Sequence, residues 1–465
     1  MENHYLFTRN FMCRLILFAA FLIFSISANA QRGININDPG SIPTSEISPQ
    51  VRSTKVFLKD AIRARKFKLN PALLSQRLNK GAEIQLELFP DRNFPAIVKD
   101  VSIQRDGTTS VSLKLKEYDL SNGFMILSNK GYLLKINIPE LNESYSIRKN
   151  QDSSTGYLIQ LDETETNSFE CGTTTEGIKS ELPVKNDPVL STQKISVDPV
   201  TCEVIFPAEQ DPATIKLLVL YTDAAETFAT DNSTDINTLI TGAVQQANDA
   251  VGNNNLGINF TFETVKLNYT EQGFGTDYVN LLTNNLQTDD AFALRKTHQG
   301  DLVILLSSYD VSTPGGIATP MRSRFGAPTK AFANVRAWYA LNTDAFIHEI
   351  GHLLGLGHYK YQATDPGPTN WFDWPANTWS GGWRFEADDP TINGNETEMY
   401  GTIMTYKSGS EYADGKSTRS LLNFSDPNIQ VFGVDAGSAT EGDGARTILA
   451  TKHYIARYEE TADYC

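Results

Sequence analysis

One short stretch, residues 348–358, constrains this chain more than any other. Its sequence is His-Glu-Ile-Gly-His-Leu-Leu-Gly-Leu-Gly-His, and it holds three of the six histidines. His348 and His352 are four residues apart, so on a helix they lie one turn apart on the same face. Gly355 lets the helix end and the chain turn, and His358 then returns as a third imidazole. Three neutral imidazoles leave a tetrahedral zinc ion with one open position, which is typical of a catalytic site.

Glu349 follows the first histidine of this motif. At that position a carboxylate projects beside the imidazole pair and reaches water at the zinc without binding the metal itself. The motif therefore predicts a general base next to an open metal position. The alternative is an ordinary amphipathic helix that carries three unrelated histidines.

The N-terminal thirty residues have the pattern of a secretory signal peptide rather than of a folded domain. Arg9 and Arg14 precede an apolar run from Leu15 to Ile26, and Ala28-Asn29-Ala30 provides a small-residue cleavage site. The run is too short to span a bilayer comfortably. We therefore predict a signal peptide at 1–30, a secreted protein and no membrane span after its removal; an uncleaved anchor is the alternative.

Charge is distributed unevenly along the 465 residues. Residues 31–207 hold equal numbers of basic and acidic side chains, whereas residues 208–465 hold 16 basic and 32 acidic ones, a net charge of −16. Such a surface repels nucleic acid and anionic membranes. We expect no nucleic-acid partner.

The residues after the leader fall into two parts. Alternating apolar and polar residues from Ala82 to about Leu161 predict a small, mostly antiparallel β domain, with a helical patch before it around Val56 to Ile62. Residues 164–213 are rich in Thr, Ser, Glu, Asp and Pro and are typical of an exposed linker. We assign residues 31–205 to this mostly-β part and its linker.

Residues 206–465 alternate between strand and helix patterns. Buried strands are predicted at Lys216–Tyr221, Ile258–Leu267 and Asp301–Leu306, and a long amphipathic helix at Ile236–Val251. The expected fold class is α/β (α+β), with a twisted mixed sheet above the motif helix. A short strand near Ile317 is expected at the sheet edge, where it can pair with an extended peptide or serve only as an ordinary strand.

Acidic and amide side chains cluster after the motif. Asp388, Asp389, Asn393 and Glu396 offer the oxygen ligands that Ca²⁺ prefers. The sequence therefore admits a calcium site here, and an acidic solvated loop is the alternative.

The long zinc motif, together with Gly401-Thr402-Ile403-Met404-Thr405-Tyr406, resembles the metzincin metallopeptidases. The order of elements from Ile215 to Tyr458 is similar to the reprolysin-like branch and to peptidyl-Asp metalloendopeptidases. Two features depart from the pattern: Tyr359 follows the third histidine, and the connection from His358 to Met404 is long. The resemblance covers roughly the last 250 residues.

The resemblance implies a metzincin-type catalytic domain with one Zn²⁺ bound by His348, His352 and His358, and with Glu349 as general base. Met404 corresponds to the Met-turn methionine, an apolar floor below the histidines. Tyr406 either stabilises the oxyanion or merely packs.

The resemblance also implies a zymogen. In related zymogens a Cys-Gly before the catalytic domain sends its thiolate to the zinc, and Cys171-Gly172 stands in the corresponding region. Cys202 then pairs with Cys465; a Cys171–Cys202 disulfide is the rival arrangement.

Two functions from different classes follow. The first is a secreted zinc-dependent endopeptidase that acts on peptide or protein substrates and is inhibited by its own propeptide. The second is a secreted binding or adhesion protein on a metzincin scaffold. Glu349 favours the first, because a binding module has no use for a general base beside an open metal position. A preference for Asp requires a cation after the Met-turn, where Lys407 and Arg419 are candidates.

Overall fold

The computed structural model describes residues 34–458 apart from 39–44, 54–57, 59, 76–77, 151–154, 164–170, 173–195, 198–203, 206, 309–313, 369–373, 375 and 392–395. The predicted signal peptide, Cys202 and Cys465 lie outside the described residues. Within the described residues, no helix is long and apolar enough to cross a membrane.

Residues 34–161 form one nine-stranded sheet, which we call the N-terminal sheet. Its strands are β1 (Ile34–Asn35), β2 (Ala61–Phe67), β3 (Glu83–Phe89), β4 (Arg92–Ile103), β5 (Thr109–Leu115), β6 (Asn122–Ser128), β7 (Gly131–Ile138), β8 (Glu143–Asn150) and β9 (Gly156–Leu161). Strands β3 to β9 form an antiparallel meander, with β2 on the β9 edge and β1 parallel to β3 at the other. Helices α1 (Pro49–Ser53) and α2 (Pro71–Ser75) are short.

The helical patch predicted around Val56 to Ile62 is wrong at its end, where strand β2 begins. Ala61 and Ala64 bury their methyl groups against β9. The Arg65 guanidinium is also buried, and its Nε donates to the Leu88 carbonyl at 2.7 Å. Pairing with β9 and the buried arginine thus override the local helical pattern.

The second part of the chain is built on a five-stranded sheet in the order β13-β12-β14-β16-β15. Its strands are β12 (Ala213–Tyr221), β13 (Ile258–Lys266), β14 (Leu302–Ser307), β15 (Gly316–Ala318) and β16 (Phe332–Arg336). All pair in parallel except β15, which lies antiparallel to β16 at the edge. Two-stranded pairing of β10 (Ser196–Val197) with β11 (Val204–Ile205) precedes it.

Helices cover both faces of this sheet. They are α3 (Asp223–Asp231), α4 (Ile236–Asn253), α5 (Phe274–Leu282), α6 (Ala291–His298), α7 (Ala337–Asn342), α8 (Ala345–Leu353) and α9 (Gly444–Ile455). Helices α3, α4, α8 and α9 share the main core with one face, while Leu281 of α5 and Ala291 of α6 pack against the other. The predicted α/β class is confirmed.

Smaller strands follow the motif helix. Strands β17 (Arg384–Asp389), β18 (Glu396–Gly401) and β19 (Arg419–Ser420) form a three-stranded sheet, and β20 (Gln430–Val431) pairs with β21 (Val434–Asp435). Together they bring the turn after Gly401 beneath helix α8, because Ile403 and Met404 join the main core.

Candidate active site

Helix α8 carries the first two histidines and is buried along its whole length. Apolar residues at Phe346, Ile347 and Ile350 pack into the main core. This packing leaves His348 and His352 on the remaining face, where each is 1% exposed. The core thus fixes the direction in which both imidazoles point.

The helix ends as the motif predicts. Gly355 has φ = +104°, a conformation that favours glycine, and its N–H donates to the His352 carbonyl at 3.0 Å. Leu356 N–H donates to the Gly351 carbonyl at 2.9 Å. This turn returns the chain so that His358 faces the two helical imidazoles.

Each histidine uses one ring nitrogen for a backbone contact. His348 Nδ1 lies 2.8 Å from the Ile403 carbonyl oxygen, and His352 Nδ1 lies 2.8 Å from that of Leu356. His358 Nδ1 lies 2.9 Å from the Asp365 carbonyl oxygen. A carbonyl oxygen only accepts, so each Nδ1 carries the proton and donates. Every Nε2 therefore presents a lone pair.

The three Nε2 atoms converge on one point. His358 Nε2 lies 3.1 Å from that of His352 and 3.2 Å from that of His348. Burial, together with neighbouring groups, lowers the pKa of His348 to about 4 and that of His358 to about 3, and lowers the pKa of His352 strongly. Three neutral nitrogens with facing lone pairs repel one another unless a cation lies among them.

Cys171 completes a fourth corner of this cluster. Its Sγ lies 3.5 Å from His352 Nε2, and the four ligand atoms lie within 4.8 Å of one another. A tetrahedral zinc ion with ordinary bond lengths separates two nitrogens by about 3.3 Å, and a nitrogen from a sulfur by about 3.5 Å. The donor set and the spacing of these residues fit Zn²⁺.

Glu349 lies beside the cluster and is fully buried. Its carboxylate packs against Gly316 of the edge strand β15, so closely that a Cβ at that position would overlap Oε1. The carboxylate therefore fits at this position only because residue 316 has no side chain beyond hydrogen. Sequence reasoning selected Ile317 and gave Gly316 no role; the Gly315-Gly316 pair at the start of the strand was the available signal.

Replacing Gly316 by alanine should therefore displace the Glu349 carboxylate. We expect kcat/KM on a peptide substrate to fall about 100-fold, since a displacement near 1 Å at a reacting group has effects of that size. Gly275→Ala is the matched control, because a Cβ there meets nothing within 4 Å. Equal activity of both variants would contradict the conclusion that Gly316 makes room for the Glu349 carboxylate.

Met404 lies directly below helix α8. Its sulfur contacts Gly351 so closely that a Cβ on this glycine would overlap it. Residues 402–405 form a turn closed by Thr405 N–H to the Thr402 carbonyl at 2.9 Å, and Met404 is 1% exposed. The methionine supports the helix between the two histidines, while the four converging ligand atoms belong to Cys171 and the three histidines.

Tyr406 holds the backbone of Cys171 in the site. Its hydroxyl accepts from Cys171 N–H at 2.9 Å and donates to the Cys171 carbonyl at 3.1 Å. The ring centroid lies 4.9 Å from that of His358. Burial raises the pKa of Tyr406, so the hydroxyl keeps its proton.

Gly172 continues the Cys171 segment along strand β15. Its N–H donates to the Gly316 carbonyl at 2.8 Å, and Cys171 pairs with Gly316 as a parallel bridge. The segment therefore pairs with the edge strand for which the sequence left two alternatives open, pairing with an extended peptide or a role as an ordinary strand.

The remaining predicted residues lie outside this cluster. Asp388 and Asp389 sit in the β17–β18 hairpin, where their carboxylates accept from the hydroxyls of Thr397, Thr391 and Tyr400. Asn393 lies outside the described residues. Calcium binding stays a prediction, as does the Cys202–Cys465 disulfide.

Comparisons with known proteins point to one family. Residues 211–418 match the Reprolysin_5 model, described as metallo-peptidase family M12. A peptidyl-Asp metalloendopeptidase of Xanthomonas campestris pv. campestris is 31% identical over 253 residues, which are 53% of this chain and 52% of that protein. One from Stenotrophomonas maltophilia strain K279a is 31% identical over 252 residues, 53% of each.

The chain thus spans about half the length of the curated relatives it matches. A solved structure described as a chaperone–substrate complex aligns with 53% of this chain and 35% of its own length, at 16% identity and a TM-score of 0.38. The histidine motif, its geometry and the family match agree, and residues 211–418 are similar to the reprolysin-like metallopeptidases of family M12.

Proposed function

We propose that this chain is a zinc-dependent endopeptidase that is made in a latent form. The observation that carries the proposal is the convergence of three imidazole nitrogens and one thiol, with Glu349 buried beside them. His348, His352 and His358 would hold the ion. Cys171 is then the one ligand that a substrate and its attacking water replace.

The protein's own groups supply the rest of the chemistry. When bound, zinc lowers the pKa of water at the open position and polarises the scissile carbonyl. Glu349 takes the proton from the attacking water and delivers it to the leaving amine. Tyr406, once it is free of the Cys171 backbone, has its hydroxyl available for the developing oxyanion. Met404, in the turn of residues 401–406, has the supporting role of a Met-turn methionine.

Strand β15 is the proposed substrate edge. Its Gly316 carbonyl accepts from the N–H of Gly172, so this backbone is free of the sheet on that side and binds an extended main chain. A peptide that replaces the Cys171 segment would bring its scissile bond to the same place.

Latency and export complete the proposal. Residues 31–205, with the N-terminal sheet, are proposed as the propeptide, and the linker as the site of the maturing cut. The signal-like residues 1–30 support secretion. N-terminal sequencing of the exported protein tests both cuts, and a start at Gln31 or within residues 173–205 is expected.

Metal removal tests the peptidase itself. We expect casein cleavage by the matured protein to stop when a zinc chelator is added and to return when Zn²⁺ is restored in excess. Metal content should track activity at one zinc per chain. Activity that persists in protein shown to be free of metal would overturn the proposal.

A binding or adhesion protein on the same scaffold is the second candidate. Bound zinc with no cleavage of any protein substrate, even after residues 31–205 are removed, would favour it. The burial of the Glu349 carboxylate against Gly316 argues for the peptidase, because a carboxylate next to an open metal position has no structural role there.

The relatives' name suggests a preference for aspartate in the substrate. Arg419 is already engaged, with its guanidinium 2.8 Å from Glu398 Oε1 and donating to the Pro139 carbonyl. Lys407 directly follows Tyr406 and is paired less closely than Arg419, with its ammonium 3.4 Å from Asp344 at the start of helix α8. We propose Lys407 as the cation that favours an acidic substrate side chain.

Lys407→Met should then lower kcat/KM for an Asp-containing peptide about tenfold or more, the effect of losing one charged hydrogen bond. For the same peptide with Asn in place of Asp, Lys407→Met and the wild-type protein should have nearly equal kcat/KM. Arg419→Met is the control, and a loss of selectivity in that variant alone would move the assignment to Arg419.

A further inference from the structure

Helix α4 has two buried faces rather than one. Leu239, Ala243, Ala247 and Val251 pack into the main core beneath the five-stranded sheet. A second stripe, spaced three or four residues apart, lies against the N-terminal sheet. It consists of Asp235, Thr238, Gly242, Gln246, Asp249 and Asn253, which we call the α4 stripe.

Gly242 is the centre of this stripe. A Cβ built there would lie 2.8 Å from Phe124 Cε2 and 3.0 Å from Leu133 Cδ2. Both neighbours belong to the N-terminal sheet, in β6 and β7, and both are buried. The missing side chain therefore forms a socket for two apolar groups, the usual anchors of a protein interface.

Polar contacts surround the socket. Ser128 Oγ lies 3.3 Å from Thr238 Oγ1, and Lys99 Nζ donates to Asn253 Oδ1 at 2.9 Å. Further hydrogen bonds and an ion pair across the same contact involve Lys135 with Gln246, Ser112 with Asp249, and Lys130 with Asp235. An apolar centre with a polar rim is the anatomy of an interface between two proteins.

The α4 stripe is suited to exposure as well as to contact. Apart from Gly242, its side chains are polar or charged, and they remain compatible with water when the N-terminal sheet is absent. By contrast, the opposite face of the same helix is apolar. The composition is that of a surface which is covered in one state and open in another.

We propose that the α4 stripe is a docking surface that binds the N-terminal sheet reversibly and independently of Cys171, so that the sheet remains a bound partner after the linker is cut. The inference rests on the proposed function, in which the sheet belongs to the propeptide. Maturation then needs two events: cleavage of the linker, and release of the sheet from α4.

The experiment uses the full chain with a specific protease site inserted in the linker after residue 180 and with Cys171→Ala, so that no thiol holds the parts together. After cleavage the two pieces are separated by size-exclusion chromatography. We expect them to elute together. With Gly242→Leu they should separate, since overpacking of this socket weakens association roughly ten- to a hundredfold.

Gly252→Leu is the matched control on the same helix, because a Cβ there meets nothing within 4 Å. Its two pieces should elute together. Circular dichroism and zinc content of the uncut chains establish that each variant folds, and Phe124→Ala tests the contact from the other side.

Two results would overturn the inference: separation of the pieces in the Cys171→Ala parent, or equal behaviour of Gly242→Leu, Phe124→Ala and Gly252→Leu. Co-elution requires no catalysis. A chain that docks but cleaves nothing would refute the peptidase and leave the docking surface in place.

Discussion

Glu349→Gln is expected to reduce kcat about a thousandfold while zinc remains bound, since general base catalysis contributes effects of this order. The amide has the size of the carboxylate and fits the same space against Gly316, but it takes no proton from water. The measurement is steady-state cleavage of a fluorogenic peptide by the matured protein, with metal content determined on the same samples.

His352→Gln is the companion variant. It removes one of three converging nitrogens and should lose both zinc and activity, which separates loss of the base from loss of the metal. A Glu349→Gln protein that retains zinc and more than a tenth of wild-type turnover would contradict the assigned role.

Cys171→Ala is expected to give the uncut precursor at least about tenfold more activity than the wild-type precursor. Among the described residues, Cys171 is the only cysteine at the imidazole cluster. Loss of a ligand worth even about 1.4 kcal/mol shifts the balance between closed and open forms tenfold. Full activity is not expected, because Tyr406 and Gly316 still hold the backbone of the segment.

Ser128→Ala provides a comparison elsewhere in the N-terminal sheet. It removes a 3.3 Å contact with Thr238 and two hydrogen bonds in the adjacent turn, one to the Gly131 carbonyl and one from the Lys130 N–H, and none of them involves the Cys171 segment. It should leave the precursor as silent as wild type. A Cys171→Ala precursor that is no more active than this comparison would show that the thiol does not maintain latency.

The sequence predicted the site where spacing alone determines geometry. His348 and His352 are four positions apart, which places them on one helical face, and Gly355 adopts the positive φ that the turn to His358 requires. The alternation from Ala82 onward likewise predicted the antiparallel strands of the N-terminal sheet, because a period of two has one structural interpretation.

Contacts between distant segments could not be predicted from the sequence. The Gly315-Gly316 pair indicates a close approach to the backbone but does not identify Glu349 as the approaching group, since Gly316 and Glu349 are 33 positions apart and meet only through the sheet edge. The apolar period of α4 revealed its core face. The stripe around Gly242 has the same spacing but no apolar side chain of its own, so the hydrophobic pattern of the helix did not reveal it.

The two hydrogen bonds from Tyr406 to the Cys171 backbone have an evolutionary consequence. If the chain is the latent peptidase proposed above and the same hydroxyl serves the oxyanion, a mutation at this position would both loosen the Cys171 segment in the precursor and slow the matured enzyme. A lineage therefore cannot obtain a leaky but fast protease by changing residue 406. Premature activity would then arise most readily from changes at Cys171 itself, because they affect the precursor and not the matured enzyme.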